Sequence, residues 1–343
     1  MADPHIFFMA PPGETQDWFW RSRARGRARE LGYHVRLNDR PAPTSPSGWS
    51  ELLPGVEALL TTWGSPKLNA EVLSQADALR IVGHVGGSVA PIVSPELFRR
   101  GVRVCTANPL MARSVAEYSL MMTLVGLRRL VRYARIGGGG NLDWEVRKSG
   151  MVPEDAVIGI WGYGDVARWL IRLLRPLEPR QILVHDEYLG TPDAEGDQVT
   201  AVSFDELFAR SDLVHCLTGL TAANRGRVGR AQLAALRHDA VLVNCGRAAL
   251  IQEEALIAAL RENRFTAIMD VFEEEPLAPD HPYRSMPNVV LTPHNAGYGR
   301  DGQYLGAMLE EFDRFFRGEP LQYEVTPERA LAMTDPALMR GRA

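Results

Sequence analysis

The chain has 343 residues with 42 acidic and 38 basic side chains, room for two domains at about 100–200 residues each. A formal net charge of -4 argues against a general nucleic-acid binder, which needs a positive field. Hydrophobic residues at 45% and charged residues at 23% exclude wholesale disorder.

Cys105, Cys216 and Cys245 are too few and too scattered for a disulfide framework, and the eight histidines contain no i, i+4 pair, so no metal site is expected. The start of the chain lacks the basic and apolar pattern of a signal peptide, and no apolar run approaches the roughly 18 residues that span a bilayer. A cytoplasmic setting with no membrane partner is the expectation.

Short apolar runs alternate with longer amphipathic stretches. The first series of strand candidates is Ile6–Met9, Val35–Leu37, Ala58–Thr62, Leu79–Val82 and Val102–Cys105. The second is Val157–Trp161, Ile182–His185, Leu213–Leu217, Ala240–Asn244, Ala267–Asp270 and Val289–Thr292. Runs apolar on both faces suit parallel sheets covered by helices, which predicts an α/β fold. Between the two series, Ser114-Val115-Ala116-Glu117 has the spacing of a capping box. A helix is expected from Leu120 to Val131, stopping at the glycines 137–140. The arginines at 21, 23, 25, 27 and 29 place Arg21, Arg25 and Arg29 on one solvated helical stripe rather than on a nucleic-acid surface. The last stretch, Glu328 to Ala343, is expected to fray.

The sharpest local signal follows the strand at Val157. Gly162-Tyr163-Gly164-Asp165-Val166-Ala167 is a Gly-x-Gly-x-x-Ala turn opening a helix. Gly162 permits the tight turn, Gly164 admits a pyrophosphate, and Ala167 packs helix on strand. Asp186 ends the next strand 24 residues after Gly162, where a carboxylate would take ribose hydroxyls and repel a 2′-phosphate. NAD is therefore the expected coenzyme, the alternative being a capping or surface Asp186. Further on, Arg247, Glu275 and His294 each follow a candidate strand. An arginine grips a carboxylate with two bonds, a histidine moves a proton near neutral pH, and a carboxylate fixes its tautomer. Singly each reads as structural; together they suit reduction of a 2-oxo acid.

From roughly Leu52 to Thr326 the sequence resembles the D-isomer-specific 2-hydroxyacid dehydrogenase family. The matching stretches are Ser114–Glu117, the Gly162 turn with Asp186, Val243–Arg247, Asp270–Leu277 and Pro287–Gly297. The resemblance implies two domains with parallel sheets, Rossmann-like and flavodoxin-like, and an active site in the interdomain cleft. Residues 1–108, completed by 298–330, would form a discontinuous substrate-binding domain, 109–297 the NAD-binding domain, and 331–343 a tail. It also implies that Arg247 binds and polarises the substrate, that His294 is the acid/base and that Glu275 is its partner. Coenzyme contacts would come from Gly162, Gly164, Asp165, Val166, Asp186, Leu217, Thr218, Cys245, Gly246, Asp270, His294 and Gly297. The amides of Gly87 and Ser88 would hold the substrate carboxylate.

The expected partners are a small 2-oxo or 2-hydroxy carboxylate and a second copy of the chain, through the Ser114 helix. Four departures from the family pattern stand out: Ala167 for a third glycine, Cys245-Gly246-Arg247-Ala248-Ala249 for Thr-Ala-Arg-Gly-Gly, a Gly83–Ala90 stretch that lacks the Asp of the family's Gly-Val-Gly-x-Asp loop, and Met111 for Asn. His84 and Trp63 are candidates for the pocket wall, against a packed aromatic and a loop histidine. The rival functional reading is a catalytically weak NAD(H)-sensing binding protein on the same fold.

Overall fold

The computed structural model describes residues 4–137, 150–187, 199–300, 302–331 and 333–334. It divides into two units: one runs to Met111 and takes up the chain again at Tyr298, and the other is Ala112–Gly297.

The first unit is built on five parallel strands, β1 (Ile6–Phe8), β2 (Val35–Leu37), β3 (Ala58–Thr61), β4 (Ile81–His84) and β5 (Arg103–Thr106), in the order β2-β1-β3-β4-β5. Alternation along the strands sorts the side chains to two faces. Ile6, Phe8, Leu60 and Ile81 pack with Met308, Leu309 and Phe312 of the helix Gln303–Phe316, while Phe7, Leu59, Val82 and Val104 pack with Trp49, Leu53 and Leu73. This is the flavodoxin-like order, whose direction of travel reverses between β1 and β3.

The second unit has seven parallel strands: β6 (Val157–Trp161), β7 (Gln181–His185), β8 (Thr200–Ala201), β9 (Leu213–Cys216), β10 (Val241–Asn244), β11 (Thr266–Met269) and β12 (Val289–Leu291). Their order, β12-β11-β10-β9-β6-β7-β8, is that of a Rossmann sheet with one added strand. Its reversal lies between β6 and β9, so ligands belong outside the carboxyl ends of those two strands.

Several elements differ from expectation. The strand expected at Leu79–Val82 lies at Ile81–His84, because pairing with β3 runs from Ala58–Ile81 to Thr61–His84. Gly83 belongs there on packing grounds, since a Cβ would stand 2.9 Å from the Cβ of Met308. Strand β8 was not expected; its two residues are exposed. Ser114 is not a helix cap: it is buried inside a continuous helix, Asn108–Leu127, and Glu117 pairs with Arg113 instead. That helix opens with Pro109 in its first turn, a favoured position, and the Thr106 hydroxyl accepts from the Asn108 amide. It ends before Arg129, which takes a left-handed φ of 55°, and a second helix, Leu130–Gly137, follows. The glycines 138–140 lie outside the described residues. Fraying begins later than expected, because Pro327–Leu331 is helical with Ala330 buried; of the expected 331–343 tail, residues 332 and 335–343 lie outside the described residues. Arg21, Arg25 and Arg29 are exposed, as a solvated stripe requires.

Candidate active site

The glycine turn after β6 meets the chain after β9 at the reversal of the second sheet. Gly162 has φ 103°, and a Cβ there would lie 2.7 Å from the Thr218 amide nitrogen. Only glycine tolerates both the conformation and the approach. Gly164 forms the N-cap of the helix Asp165–Leu174, no side chain caps that terminus, and there is open space where a Gly164 Cβ would stand. This is the local shape a pyrophosphate needs at a helix N-terminus. Asp186 accepts a hydrogen bond from the Tyr163 amide at 2.7 Å, so its carboxylate also braces the turn.

The next turn follows β10. The Asn244 side chain accepts from the Gly246 amide at 3.1 Å and donates to the Arg247 carbonyl at 3.0 Å. A Cβ on Gly246 would lie 2.7 Å from the Cys216 carbonyl oxygen. Arg247 Nη1 donates to the Gly246 carbonyl at 2.7 Å. Asn244 is not among the expected site residues, although a short amide ending a strand two residues before a glycine is a turn signal. Burial, reinforced by the Asp270 carboxylate, pushes the Cys245 thiol far up, so it is protonated and inert here.

Asp270, just past β11, is buried. Its Oδ1 accepts from the Thr292 hydroxyl at 2.7 Å and the Asn295 amide at 3.1 Å, and its Oδ2 accepts from the Ala296 amide at 3.1 Å. One carboxylate thus ties down both sides of His294. The histidine itself has φ 50°, a region that a bulky residue enters only when its surroundings impose it. His294 Nδ1 stands 2.8 Å from Glu275 Oε2, while Glu275 Oε1 accepts from the Phe272 amide at 3.1 Å. A carboxylate facing Nδ1 selects the tautomer protonated there, and it leaves Nε2 to exchange a proton. Beside this pair opens a cavity of about 320 Å³ lined by Phe272, Leu277, Leu291 and Pro293, among others.

In the first unit, the chain after β4 forms the loop Val85–Ser88. Among the described residues, neither the Gly87 nor the Ser88 amide has a hydrogen-bond acceptor. The Ser88 hydroxyl donates to the Thr334 carbonyl at 3.0 Å, so this residue offers an anion its amide. His84 is buried, with Nδ1 3.0 Å from the Thr61 hydroxyl oxygen, and burial pushes its pKa down to about 4.

The structure therefore joins His294 with Glu275, ties Asp270 to the His294 loop, and sets Gly162 against Thr218. Comparison with known proteins bears on what such a set does. Residues 120–296 match the model of the family described as D-isomer specific 2-hydroxyacid dehydrogenase, NAD binding domain. The D-3-phosphoglycerate dehydrogenase of Archaeoglobus fulgidus is 29% identical over 277 residues, covering 80% of this chain and 52% of that protein. The glyoxylate/hydroxypyruvate reductase B of Erwinia tasmaniensis is 30% identical over 260 residues, covering 72% of this chain and 78% of that one. The chain spans about half the length of the phosphoglycerate dehydrogenases it matches. Among solved structures, a phosphoglycerate oxidoreductase from Rhizobium etli superposes with a TM-score of 0.77 at 26% identity, over 94% of this chain and 98% of that one.

Proposed function

The chain belongs to the D-isomer specific 2-hydroxyacid dehydrogenase family, and from that premise we propose that it interconverts a 2-oxo acid and its D-2-hydroxy acid with NAD as coenzyme. The observation that carries this reading is the 2.8 Å contact of His294 Nδ1 with Glu275 Oε2, a pair a coenzyme sensor does not need.

The Gly162 turn and the helix N-terminus at Asp165 fit a dinucleotide pyrophosphate, with Asp165, Val166, Leu217, Thr218 and Gly297 beside it and Asp186 at the ribose. NAD(H) held there supplies the hydride in reduction and accepts it in oxidation. In reduction, Arg247 grips the substrate carboxylate with parallel bonds and polarises the neighbouring carbonyl. The amides of Gly87 and Ser88 take further carboxylate lone pairs. His294 delivers its Nε2 proton to the developing alkoxide, and Glu275 stabilises the imidazolium before that transfer. In oxidation the same Nε2 removes the hydroxyl proton. Asp270 holds the His294 loop and, with Cys245 and Gly246, is among the residues that would hold the nicotinamide end of the coenzyme.

A second copy of the chain is the proposed partner. Met121, 44% exposed on the Ser114 helix that the family resemblance assigns to a dimer, offers an apolar contact, and Leu130, 56% exposed at the start of the next helix, offers another. Free, buried cysteines suit the reduced cytoplasmic setting proposed for the chain.

The test is oxidation of NADH by purified protein with glyoxylate, hydroxypyruvate, pyruvate and phenylpyruvate. Turnover of at least one, lost in His294→Ala, supports the dehydrogenase. Coenzyme binding with no turnover across the panel favours the sensor.

A further inference from the structure

Among the described residues of the first unit, the exposed large hydrophobic side chains are Trp63, 38% exposed, and Tyr298, 49% exposed. They come from opposite ends of the chain and share one cluster. Trp63 follows β3, and Tyr298 opens the returning segment. Their ring centroids are 6.1 Å apart, and both lean on Trp18, which stacks on Trp63 at 5.9 Å and meets Tyr298 at 4.9 Å. Phe19 backs Trp63 at 5.2 Å.

The position of this patch is informative. Trp63 sits at the carboxyl end of β3, beside the reversal of the first sheet, where open α/β sheets hold their ligands. It also adjoins the loop of unpaired amides. A Cβ on Gly86 would fall 3.0 Å from Trp63 Nε1 and 2.5 Å from His84 Nε2, so the backbone leading to Gly87 and Ser88 lies directly against both rings. Trp63 and Tyr298 are followed by Gly64 and Gly299, both at positive φ with nothing within 4 Å of where a Cβ would stand. The chain leaves space beside each ring.

We infer that Trp63, Tyr298 and Trp18 form a shelf for the side chain of the substrate, and that this side chain is aromatic. The inference rests on the dehydrogenase reading and narrows it to 2-oxo acids bearing an aryl group. With the carboxylate on the Gly87 and Ser88 amides, a planar ring reaches the neighbouring indole and phenol faces, which favour stacked or edge-on contacts. His84 supports the same class of ligand. Burial keeps it uncharged above a pH of about 4, so the ring behind Gly86 offers no positive charge to a phosphorylated side chain. In the reaction, the carbonyl carbon takes hydride from NADH, which becomes NAD, and the carbonyl oxygen takes the His294 proton. The aryl group stays intact.

Two measurements on the full chain test this. In calorimetric titrations with and without NADH, D-phenyllactate binds at least tenfold more tightly than D-lactate, and Trp63→Ala or Tyr298→Ala closes most of that gap. In steady-state assays the ratio of kcat/KM for phenylpyruvate to that for glyoxylate falls at least tenfold in Trp63→Ala, while Trp63→Phe retains most of it. Equal binding of the two hydroxy acids, absence of binding by either, or a gap untouched by both alanine variants overturns the shelf. Reduction of glyoxylate with no preference for phenylpyruvate overturns the shelf and leaves the dehydrogenase reading intact. Tight, Trp63-dependent binding of phenyllactate with no 2-oxo acid reduced supports the shelf and overturns the dehydrogenase.

Discussion

Two residues with left-handed backbone angles, His294 and Gly162, are central to the proposed reaction. His294 holds φ 50° because Asp270 grips the residues on both sides of it, and the reward for that strain is an imidazole aimed by Glu275. A positioned acid/base contributes about 10²–10⁴-fold to rate. His294→Ala is therefore expected to lower kcat by at least about 100-fold with little change in coenzyme affinity. Glu275→Gln keeps the shape but removes the charge facing Nδ1, and it lowers kcat by a smaller factor. Steady-state kinetics on the two variants check the order, and a Glu275→Gln enzyme slower than His294→Ala would reverse the assigned roles. Gly162 is the other special position. At φ 103°, with the Thr218 amide 2.7 Å from any Cβ, Gly162→Ala is expected to weaken NADH binding at least tenfold, read by calorimetry. Unchanged affinity would remove the turn from the coenzyme site. For Asp186, the carboxylate beside the turn predicts a higher kcat/KM with NADH than with NADPH; equal or reversed efficiency would cancel its ribose role.

At the scale of elements, the loop 292–296 is held to β11 mainly through one buried side chain. Asp270→Asn turns an amide toward the Ala296 N–H, so donor faces donor, and a buried unsatisfied group costs about 1–3 kcal/mol. Thr292→Val removes the hydroxyl that bonds Asp270 and meets the Tyr118 side chain, at about 1 kcal/mol for each bond lost, but leaves no unsatisfied group of its own. Urea unfolding should rank wild type above Thr292→Val and Thr292→Val above Asp270→Asn; equal midpoints would mean the loop is held elsewhere. The same scale shows what the sequence made legible. Buried strands such as Val157–Trp161 and Leu213–Cys216 declare themselves because parallel sheets bury both faces, and the Gly162 turn because its glycines obey a steric demand. The Ser114 pattern misleads because a Ser-x-x-Glu spacing also occurs inside helices, where Pro109 upstream sets the true start. Strand β4 slips by two residues because its Gly83 and His84 are admitted by packing and pairing, not by apolarity. The contacts between Asp270 and Thr292, and between Trp18 and Tyr298, leave no local trace, since each joins side chains that only the fold brings together.

For the molecule as a whole, two buried histidines set an acid limit on stability. His215 lies in the core of the Rossmann sheet. Its Nε2 is 2.8 Å from the Thr123 hydroxyl oxygen, whose own proton goes to the Ser119 carbonyl at 2.9 Å, so Nε2 is the donor; the buried Nδ1 has no partner among the described residues to take a second proton, and the ring is neutral. Burial pushes its pKa down to about 3 and that of His84 to about 4. Above the ordinary value of 6.5 neither folded nor unfolded chain carries these protons. Below it the unfolded chain binds them and the fold does not, so stability declines as pH falls from about 6.5 toward 4, by about 1.4 kcal/mol per pKa unit of depression at each group. His215→Gln keeps a donor for Thr123 and cannot titrate. The drop in Tm between pH 7.5 and pH 5 should therefore be smaller in that variant than in wild type, and an identical drop would contradict the assignment.

The proposed reaction depends on proton delivery from an imidazole fixed by a carboxylate, and single-turnover reduction of a 2-oxo acid by protein preloaded with NADH measures it directly. Rapid loss of NADH absorbance in wild type, formation of the D-hydroxy acid, and a rate at least about 100-fold slower in His294→Ala are expected. Full-speed reduction by His294→Ala, or the L-isomer as product, would contradict it.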